Sequence, residues 1–123
     1  YLAYPLESVP EALGELADWQ VEWKWDGIRA QAIHRAGGLF LWSRGEELIH
    51  ERFPDVVAAL GELPGGTVLD GEVLAFKDGE PLPFSALQKR IGRKNLTDAV
   101  LEDVPVVFMA YDLLEGGGRD LRA

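Results

Sequence analysis

Apolar residues alternate with polar ones over several short runs in the first half of the chain, which is the pattern of strands with one buried face. Residues 19–25, 28–35 and 39–43 each follow this pattern. Gly37 and Gly38 separate the second run from the third and favour a tight turn with positive φ angles. These runs predict a meander of three antiparallel strands.

The second half of the chain contains two further strand-like runs. Residues 67–76 are interrupted in the middle by Asp70-Gly71-Glu72, and residues 77–80, Lys-Asp-Gly-Glu, favour a hairpin turn. Residues 106–113 are the most strongly strand-like segment, so we predict that they form a central strand. The glycines at 116–118 predict a turn after it.

Short helices are predicted around these strands. Ser8 with Glu11, and Ser85 with Gln88, have the spacing of a capping box, and Pro54 suits the first turn of a helix with an apolar stripe that packs on the sheet. The predicted helical segments are residues 8–18, 54–63, 86–91 and 96–102. The pattern therefore predicts an α+β fold, a mostly antiparallel sheet with short flanking helices.

Length and composition limit the possibilities further. The chain has 123 residues, which is enough for one domain over residues 1–123 and too few for two ordinary ones. With no cysteine and only two histidines, it has no disulfides, no thiolate metal site and no cysteine nucleophile, so a metal would be a hard cation held by oxygens. Neither a membrane span nor a signal peptide is apparent, so we expect a cytoplasmic location and no membrane partner.

The charge of the chain is unevenly distributed. The formal net charge is −9, which opposes binding of nucleic acid by charge alone. Four basic residues nevertheless fall within six positions: Lys89, Arg90, Arg93 and Lys94. They lie on and after the helix predicted over residues 86–91, and they either grip phosphates or form an ordinary solvated helix face.

Polar groups interrupt the apolar runs near their ends, where a sheet can build a pocket. These groups are residues 22–29, Ser43-Arg44-Gly45, Asp70-Gly71-Glu72 and Tyr111-Asp112. Each of them alone is more typical of a surface turn. Together, in this order, they predict one site.

The first of these groups carries a lysine. On a strand over residues 19–25, Glu22 and Lys24 point to the same side, where they either line a pocket or form a simple salt bridge. Trp23 and Trp25 point to the other side and are predicted to lie in the core.

The four groups resemble the motifs of the adenylation domain of ATP-dependent DNA ligases of the bacterial type, which are covalent nucleotidyltransferases with an ATP-grasp-like fold. The matching segments are Lys24-Trp25-Asp26-Gly27-Ile28-Arg29, Ser43-Arg44-Gly45-Glu46-Glu47, Leu69-Asp70-Gly71-Glu72 and Phe108-Met109-Ala110-Tyr111-Asp112-Leu113-Leu114. The resemblance extends over nearly the whole chain. No single motif is specific, but the set is.

The resemblance implies a role for each matching residue. Lys24 would be the nucleophile that attacks the α-phosphate of ATP, releasing pyrophosphate and keeping AMP on its side-chain nitrogen. Tyr111, where the family commonly has phenylalanine, would stack on adenine and needs a partner for its hydroxyl. The remaining nucleotide contacts would be Glu22 to the adenine edge, Arg29 and Arg44 to ribose or phosphate, and Glu72 to the ribose hydroxyls or a metal ion.

Four further residues have supporting roles in this interpretation. Asp26 and Asp70 would shape their turns, and Gly27 would let the backbone approach the nucleotide. Phe108 lies on the opposite face of its strand from Tyr111, so it is predicted to be core.

The implied cofactors are ATP and Mg²⁺ or Mn²⁺. A free lysine has a pKa of about 10.4, so its neutral form is scarce at pH 7 unless nearby cations or desolvation act on it. The cations available for this are Arg29 and a metal ion on the phosphates.

For the whole protein, the resemblance implies nick sealing in duplex DNA, with Lys89, Arg90, Arg93 and Lys94 as candidate DNA contacts and with replication, repair and recombination as its processes. We expect the chain to be the N-terminal part of an adenylation domain, without the later motifs and an OB-type domain. Alone, it would then bind nucleotide poorly, remain unadenylated, and be a monomer or a dimer paired artificially through free strand edges.

NAD-dependent ligases share the Lys-x-Asp-Gly core, but Arg29-Ala30-Gln31 and the segment at 108–114 resemble the ATP-dependent branch. Two alternatives stay open. An RNA ligase or a capping enzyme belongs to the same superfamily. In a non-catalytic nucleotide-binding module, Lys24 would only pair with Glu22 or Asp26.

Overall fold

A computed structural model describes residues 4–122 as a sheet packed on one face by short helices. The strands are β1 (Ile28–Arg35), β2 (Gly38–Ser43), β3 (Thr67–Lys77), β4 (Glu80–Pro81), β5 (Val106–Gly116) and β6 (Arg119–Asp120). The helices are α1 (Pro54–Leu60), α2 (Phe84–Ile91) and α3 (Asp98–Asp103). The order across the sheet is β2-β1-β3-β5-β6, and β4 pairs with the end of β3. Every pairing is antiparallel, which confirms the predicted fold class.

The hairpins follow the local turn chemistry. β1 and β2 pair from Ala30 with Ser43 to Arg35 with Gly38, and the turn places Ala36 and Gly37 at positive φ, one position earlier than the predicted glycine pair. The turn at residues 78–79, between β3 and β4, also has two positive φ angles, as a type I′ turn requires.

The centre of the sheet is β3, and this corrects the prediction for residues 106–113. β3 pairs with β1 along one edge and with β5 along the other. On its second edge, β5 pairs only through Glu115 and Gly116 with the two residues of β6. The predicted break at 70–72 is instead a shift of register against β5, because β3 runs without interruption over eleven residues.

The core lies between the sheet and the helices. Alternate strand residues on one face of the sheet are buried, as the period of two requires. They are Ala30, Ala32, Leu39, Leu41, Val73 and Ala75. The other side of the core consists of Phe53 before α1, Val56 on α1, Leu87 on α2 and Val104 after α3, so α1 packs on the sheet as predicted.

The predicted N-terminal helix is absent from the described residues, and residues 1–3 lie outside them. Two short 3-10 turns, Pro10–Leu13 and Leu16–Asp18, replace it. Gly14 separates them with a φ of 89°, which a continuous helix cannot contain. The Ser8 capping box does not form either, because Val9 is the residue that precedes the first turn.

The predicted strand at residues 19–25 is also wrong, and the three-stranded meander with it. Both edges of β1 are already occupied, by β2 and β3, so this segment cannot pair with β1. It precedes β1 as coil, in which Trp23 is 79% exposed and Trp25 is half-buried, so the tryptophans are not core residues. The two rings touch each other, with centroids 6.0 Å apart.

The helix ends differ in detail from the prediction. α2 begins at Phe84 after Pro83, and the Ser85–Gln88 capping box does not form. α3 is capped by Thr97, whose hydroxyl accepts a hydrogen bond from the amide of Val100 at 3.4 Å. No helix among residues 4–122 is long and apolar enough to cross a membrane.

One member of the predicted basic cluster, Arg90, is buried, which corrects its assignment as a DNA contact. Its side chain is fully enclosed and donates two hydrogen bonds to the carboxylate of Asp55, at 2.6 and 2.9 Å. It also donates to the backbone carbonyls of Val104 and Arg52. Arg90 therefore connects α2 to α1 and to the end of α3, and cannot reach a phosphate.

We predict that Arg90→Ala lowers the free energy of unfolding by about 3 kcal/mol or more, because it leaves a carboxylate and two carbonyls without their shared donor. Lys89→Ala, at the neighbouring exposed position, is the matched control and should change the free energy of unfolding by less than about 0.5 kcal/mol. Urea denaturation of both variants measures the difference. Equal stability of the two variants would contradict the structural role of Arg90.

Candidate functional site

An open cleft of about 990 Å³ lies on the sheet face opposite the helices. It contains all six residues predicted from the sequence as nucleophile or nucleotide contacts: Glu22, Lys24, Arg29, Arg44, Glu72 and Tyr111. Four of them lie on or next to paired strands, whereas Glu22 and Lys24 lie on the coil before β1. The structure therefore brings the predicted set together.

The register of the sheet explains this convergence. Arg29 of β1 is directly opposite Glu72 of β3, and Asp70 is two residues away on the same side of β3. Across β5, Asp70 pairs with Asp112 while Gly71 pairs with Ala110, so Tyr111 is the extra residue of a β-bulge. Bulges redirect side chains, and this one places Tyr111 in the cleft.

Arg29 is held by a carboxylate that the sequence analysis had assigned to a turn. Asp70 lies within β3 and accepts two hydrogen bonds from Arg29, from Nε at 3.0 Å and from Nη2 at 2.5 Å. This hydrogen bonding raises the pKa of Arg29 above its ordinary value. Asp70 is thus a positioning residue for the guanidinium, and Nη1 has no partner among the described residues.

Tyr111 is contacted on its ring and on its hydroxyl. The Arg29 guanidinium lies over the ring, 4.3 Å from its centroid, and the hydroxyl donates a hydrogen bond to Oε2 of Glu72 at 3.2 Å. Glu72 is therefore the hydroxyl partner that the sequence called for. Burial, followed by the negative charge of Glu72, raises the pKa of Tyr111 above its ordinary value.

Lys24 is exposed and takes part in none of the ion pairs formed among residues 4–122. Glu22, its expected partner in a simple salt bridge, instead accepts a hydrogen bond from Gln20 at 2.6 Å. Asp26 forms no ion pair within that part of the chain either. The amine is therefore available at the cleft, without the pairing that the binding-module alternative requires.

Arg44 enters the cleft from the turn after β2. Its amide donates to the carbonyl of Arg29 at 3.0 Å, which attaches the turn to β1. The turn is tight, with Glu46 at a φ of 61° and the amide of Glu47 donating to the hydroxyl of Ser43 at 3.3 Å. The Arg44 side chain forms no ion pair among residues 4–122, so it can bind an anion.

Gly27 has a packing role in the fold, and its predicted approach to the nucleotide stays a prediction. A Cβ at this position would overlap the carbonyl oxygen of Val73 and lie 2.9 Å from Cγ of Glu72. The glycine therefore lets the backbone before β1 lie directly against β3, underneath the cleft. Gly71 similarly leaves room for the Phe108 ring, which packs against the core as predicted.

Besides the buried Ala30, two cleft residues lie outside the predicted groups, Gln31 and Trp42. The alternation of side chains along a strand could have identified both, because Gln31 is two residues after Arg29 and pairs with Trp42 on β2. The described residues contain no group of three histidines or carboxylates close enough to hold a metal ion. Lys89, Arg93 and Lys94 are exposed but do not line the cleft, because α2 packs on the other face of the sheet.

A family model and several sequence relatives all relate this chain to DNA ligases. The family model described as ATP dependent DNA ligase domain matches residues 1–122. A probable DNA ligase of Koribacter versatilis is 43% identical over 118 residues, covering 96% of this chain and 20% of that protein. A probable DNA ligase of Opitutus terrae is 46% identical over 116 residues, covering 93% of this chain and 11% of that protein. A DNA ligase of Haloferax volcanii is 42% identical over 120 residues, covering 94% of this chain and 20% of that protein.

Solved structures agree with the sequence relatives. The crystal structure of the ligase domain from M. tuberculosis LigD has a TM-score of 0.62 and 35% identity, over 81% of this chain and 30% of that one. A mycobacterial DNA ligase D complexed with ATP and MES has a TM-score of 0.63 and 34% identity over the same shares. The chain spans only a fifth or less of the three sequence relatives' length.

We predict that Glu72→Gln lowers the pKa of Tyr111 toward its ordinary value near 10, because the phenolate no longer forms beside a negative charge. The ultraviolet absorbance of the phenolate during a pH titration in chelator-treated buffer measures this, and Tyr111→Phe identifies the signal. Glu62→Gln removes the same charge at an exposed site and should leave the titration unchanged. An unaltered Tyr111 titration in Glu72→Gln would contradict the effect of the Glu72 charge on the Tyr111 hydroxyl.

Proposed function

Because the chain belongs to the ATP dependent DNA ligase domain family, we propose that the protein it forms part of seals nicks in duplex DNA with ATP. The observation that carries this proposal is the convergence of Lys24, Arg29, Arg44, Glu72 and Tyr111 on one cleft. The coverage of the relatives supports the further proposal that this chain is part of an adenylation domain in a longer enzyme. The proposed setting is cytoplasmic DNA replication, repair and recombination.

The proposed reaction has three steps. The deprotonated Nζ of Lys24 attacks the α-phosphorus of ATP, the bond to the bridging oxygen breaks, and pyrophosphate leaves with its electron pair. The AMP then passes from Lys24 to the 5′-phosphate of the nick. Finally the 3′-hydroxyl attacks that phosphate, AMP leaves, and the strand is continuous.

The cleft supplies a group for each part of the nucleotide. The Tyr111 ring provides a stacking surface for adenine, and Glu22 a carboxylate for its amino group. Glu72 accepts from the ribose hydroxyls. Arg44 and the free Nη1 of Arg29 offer charge-assisted hydrogen bonds to the phosphates, where negative charge accumulates as pyrophosphate leaves.

The residues fit a Mg²⁺ or Mn²⁺ ion only when the nucleotide phosphates supply most of the ligands. Mg²⁺ typically binds with one or two carboxylates and substrate phosphates, and Glu72 is the carboxylate nearest to that description. Such an ion, when bound, neutralises charge on the phosphates. The chain's own contribution is to hold Arg29 and Arg44 beside them.

Nicked duplex DNA is the proposed partner. The exposed Lys89, Arg93 and Lys94 remain candidate phosphate contacts, whereas the buried Arg90 is withdrawn from this set. Sealing by an RNA ligase or capping chemistry uses the same lysine, so the nucleic acid separates these alternatives. A purely nucleotide-binding module is disfavoured because Lys24 has no acidic partner in the described chain.

We predict that the complete protein, incubated with Mg²⁺ and ATP labelled on the α-phosphate, acquires one AMP on Lys24. Lys24→Ala should abolish the adduct, because it removes the only lysine that lines the described cleft, whereas Lys89→Ala should retain it. Mass spectrometry of the peptide that contains Lys24 gives the site. An adduct of equal yield in Lys24→Ala would refute the proposed nucleophile.

We predict that the complete protein, prepared free of bound AMP and supplied with ATP, seals a nick in duplex DNA at least tenfold faster than a nick in duplex RNA. Gel analysis of labelled strands measures both rates, with ATP replaced by GTP or NAD in parallel samples. Those two replacements should give no sealing. Faster sealing of RNA, or sealing with NAD alone, would favour the corresponding alternative enzyme.

A further inference from the structure

The carboxylate of Glu72 is held at one oxygen and open at the other. Oε2 accepts the hydrogen bond from the Tyr111 hydroxyl at 3.2 Å, and the residue as a whole is only 8% exposed. Oε1 has no hydrogen-bond partner among residues 4–122, yet it is not among the buried unsatisfied atoms, so solvent reaches it. A ligand in the cleft can therefore use this oxygen.

The tyrosine that holds Glu72 is itself fixed from one side. Asp70 holds the Arg29 guanidinium with two hydrogen bonds, and the guanidinium covers one face of the Tyr111 ring at 4.3 Å from the centroid. The proposed function places the adenine base on the opposite face of the ring. The ring and the hydroxyl of one residue thus face two different parts of a nucleotide.

We propose that the Tyr111 hydroxyl is a positioning group that orients Glu72 toward the ribose and makes the site discriminate ATP from deoxyATP. This inference rests on the proposed function, because it takes the base of ATP to stack on Tyr111. The ring contacts the base directly, but the hydroxyl acts through Glu72. A phenylalanine in the same place would stack equally well without this second action.

Two physical effects support the inference. A glutamate side chain has several accessible rotamers, and a donated hydrogen bond to its charged carboxylate selects one of them. A site that offers a fixed acceptor to a substrate hydroxyl penalises an analogue that lacks this hydroxyl, because the acceptor is then left unpaired. The Tyr111 hydroxyl is a donor at neutral pH, because the ordinary pKa of a tyrosine is about 10 and the pKa of Tyr111 is raised above it.

The test compares adenylation of the complete protein and its Tyr111→Phe variant with ATP, 2′-deoxyATP and 3′-deoxyATP. The preference for ATP, measured as a ratio of kcat/KM values, should fall about tenfold against at least one deoxynucleotide, as expected for loss of one hydrogen bond to a charged group. Tyr4→Phe removes the same atom from a residue that is 84% exposed. This matched control should retain the original preference.

Two outcomes are distinguishable. Wild-type protein that forms no AMP adduct on Lys24 would refute the proposed function. A wild-type protein that does form the adduct, together with unchanged ratios for both deoxynucleotides in Tyr111→Phe, would overturn only the role of the hydroxyl.

A second measurement covers a Tyr111→Phe variant that reacts too slowly to assay. Binding of the three nucleotides is measured in the Lys24→Ala background, where chemistry is blocked, for Tyr111→Phe, Glu72→Gln and the double variant. We expect Tyr111→Phe to change the binding ratios when Glu72 is present and to have no further effect in Glu72→Gln. If the effects of Tyr111→Phe and Glu72→Gln on the binding ratios are fully additive, the Tyr111 hydroxyl does not act through Glu72.

Discussion

The pairing of β1 with β3 is the constraint on which the rest of the structure depends. It sets Arg29 opposite Glu72 and places Ala30 and Ala32 on the buried face. A shift of one residue would bury Arg29 and expose the alanines, so the packing of the core against the helices protects the geometry of the cleft. Gly27 and Gly71 contribute on each side, because a Cβ at either position would collide with a neighbouring strand.

The Arg90–Asp55 and Arg29–Asp70 pairs have different effects. The burial of the arginine determines whether the pair affects mainly stability or mainly geometry. Arg90 has no exposed side-chain surface, so its pair with Asp55 affects stability. The Arg29 side chain is 39% exposed, and such pairs contribute only about 0–1 kcal/mol. Its bidentate pair with Asp70 matters instead for geometry, since it holds a charged group in place over Tyr111.

The parts of the fold that sequence reasoning predicted are those that local chemistry determines. The β1–β2 and β3–β4 hairpins and the positions of α1 and α2 follow from alternation and turn residues. The meeting of the motif residues was expected from the resemblance to the ligase family, and it depends on the long-range pairing of β3 with β1 and β5. The coil at residues 19–25 was missed because its alternation is strand-like, and only the sheet as a whole shows that β1 has no free edge. Arg90 and Asp70 were misassigned for a similar reason, because their partners are 35 and 41 residues away in the chain.

The proposed nucleotide contacts in the floor of the cleft lie on strands, whereas the proposed nucleophile lies on coil. Arg29, Glu72 and Tyr111 lie on hydrogen-bonded strands, whereas Lys24 lies on the coil before β1 and lines the same cleft. In the proposed reaction the nucleotide must first be held while Lys24 attacks, and then AMP must leave the lysine for a DNA end. Groups that bind the nucleotide gain from rigid positions, because small displacements weaken the alignment of reacting atoms. The amine has two successive reaction partners, and a lysine outside the sheet can serve both without disturbing the strands that hold the nucleotide.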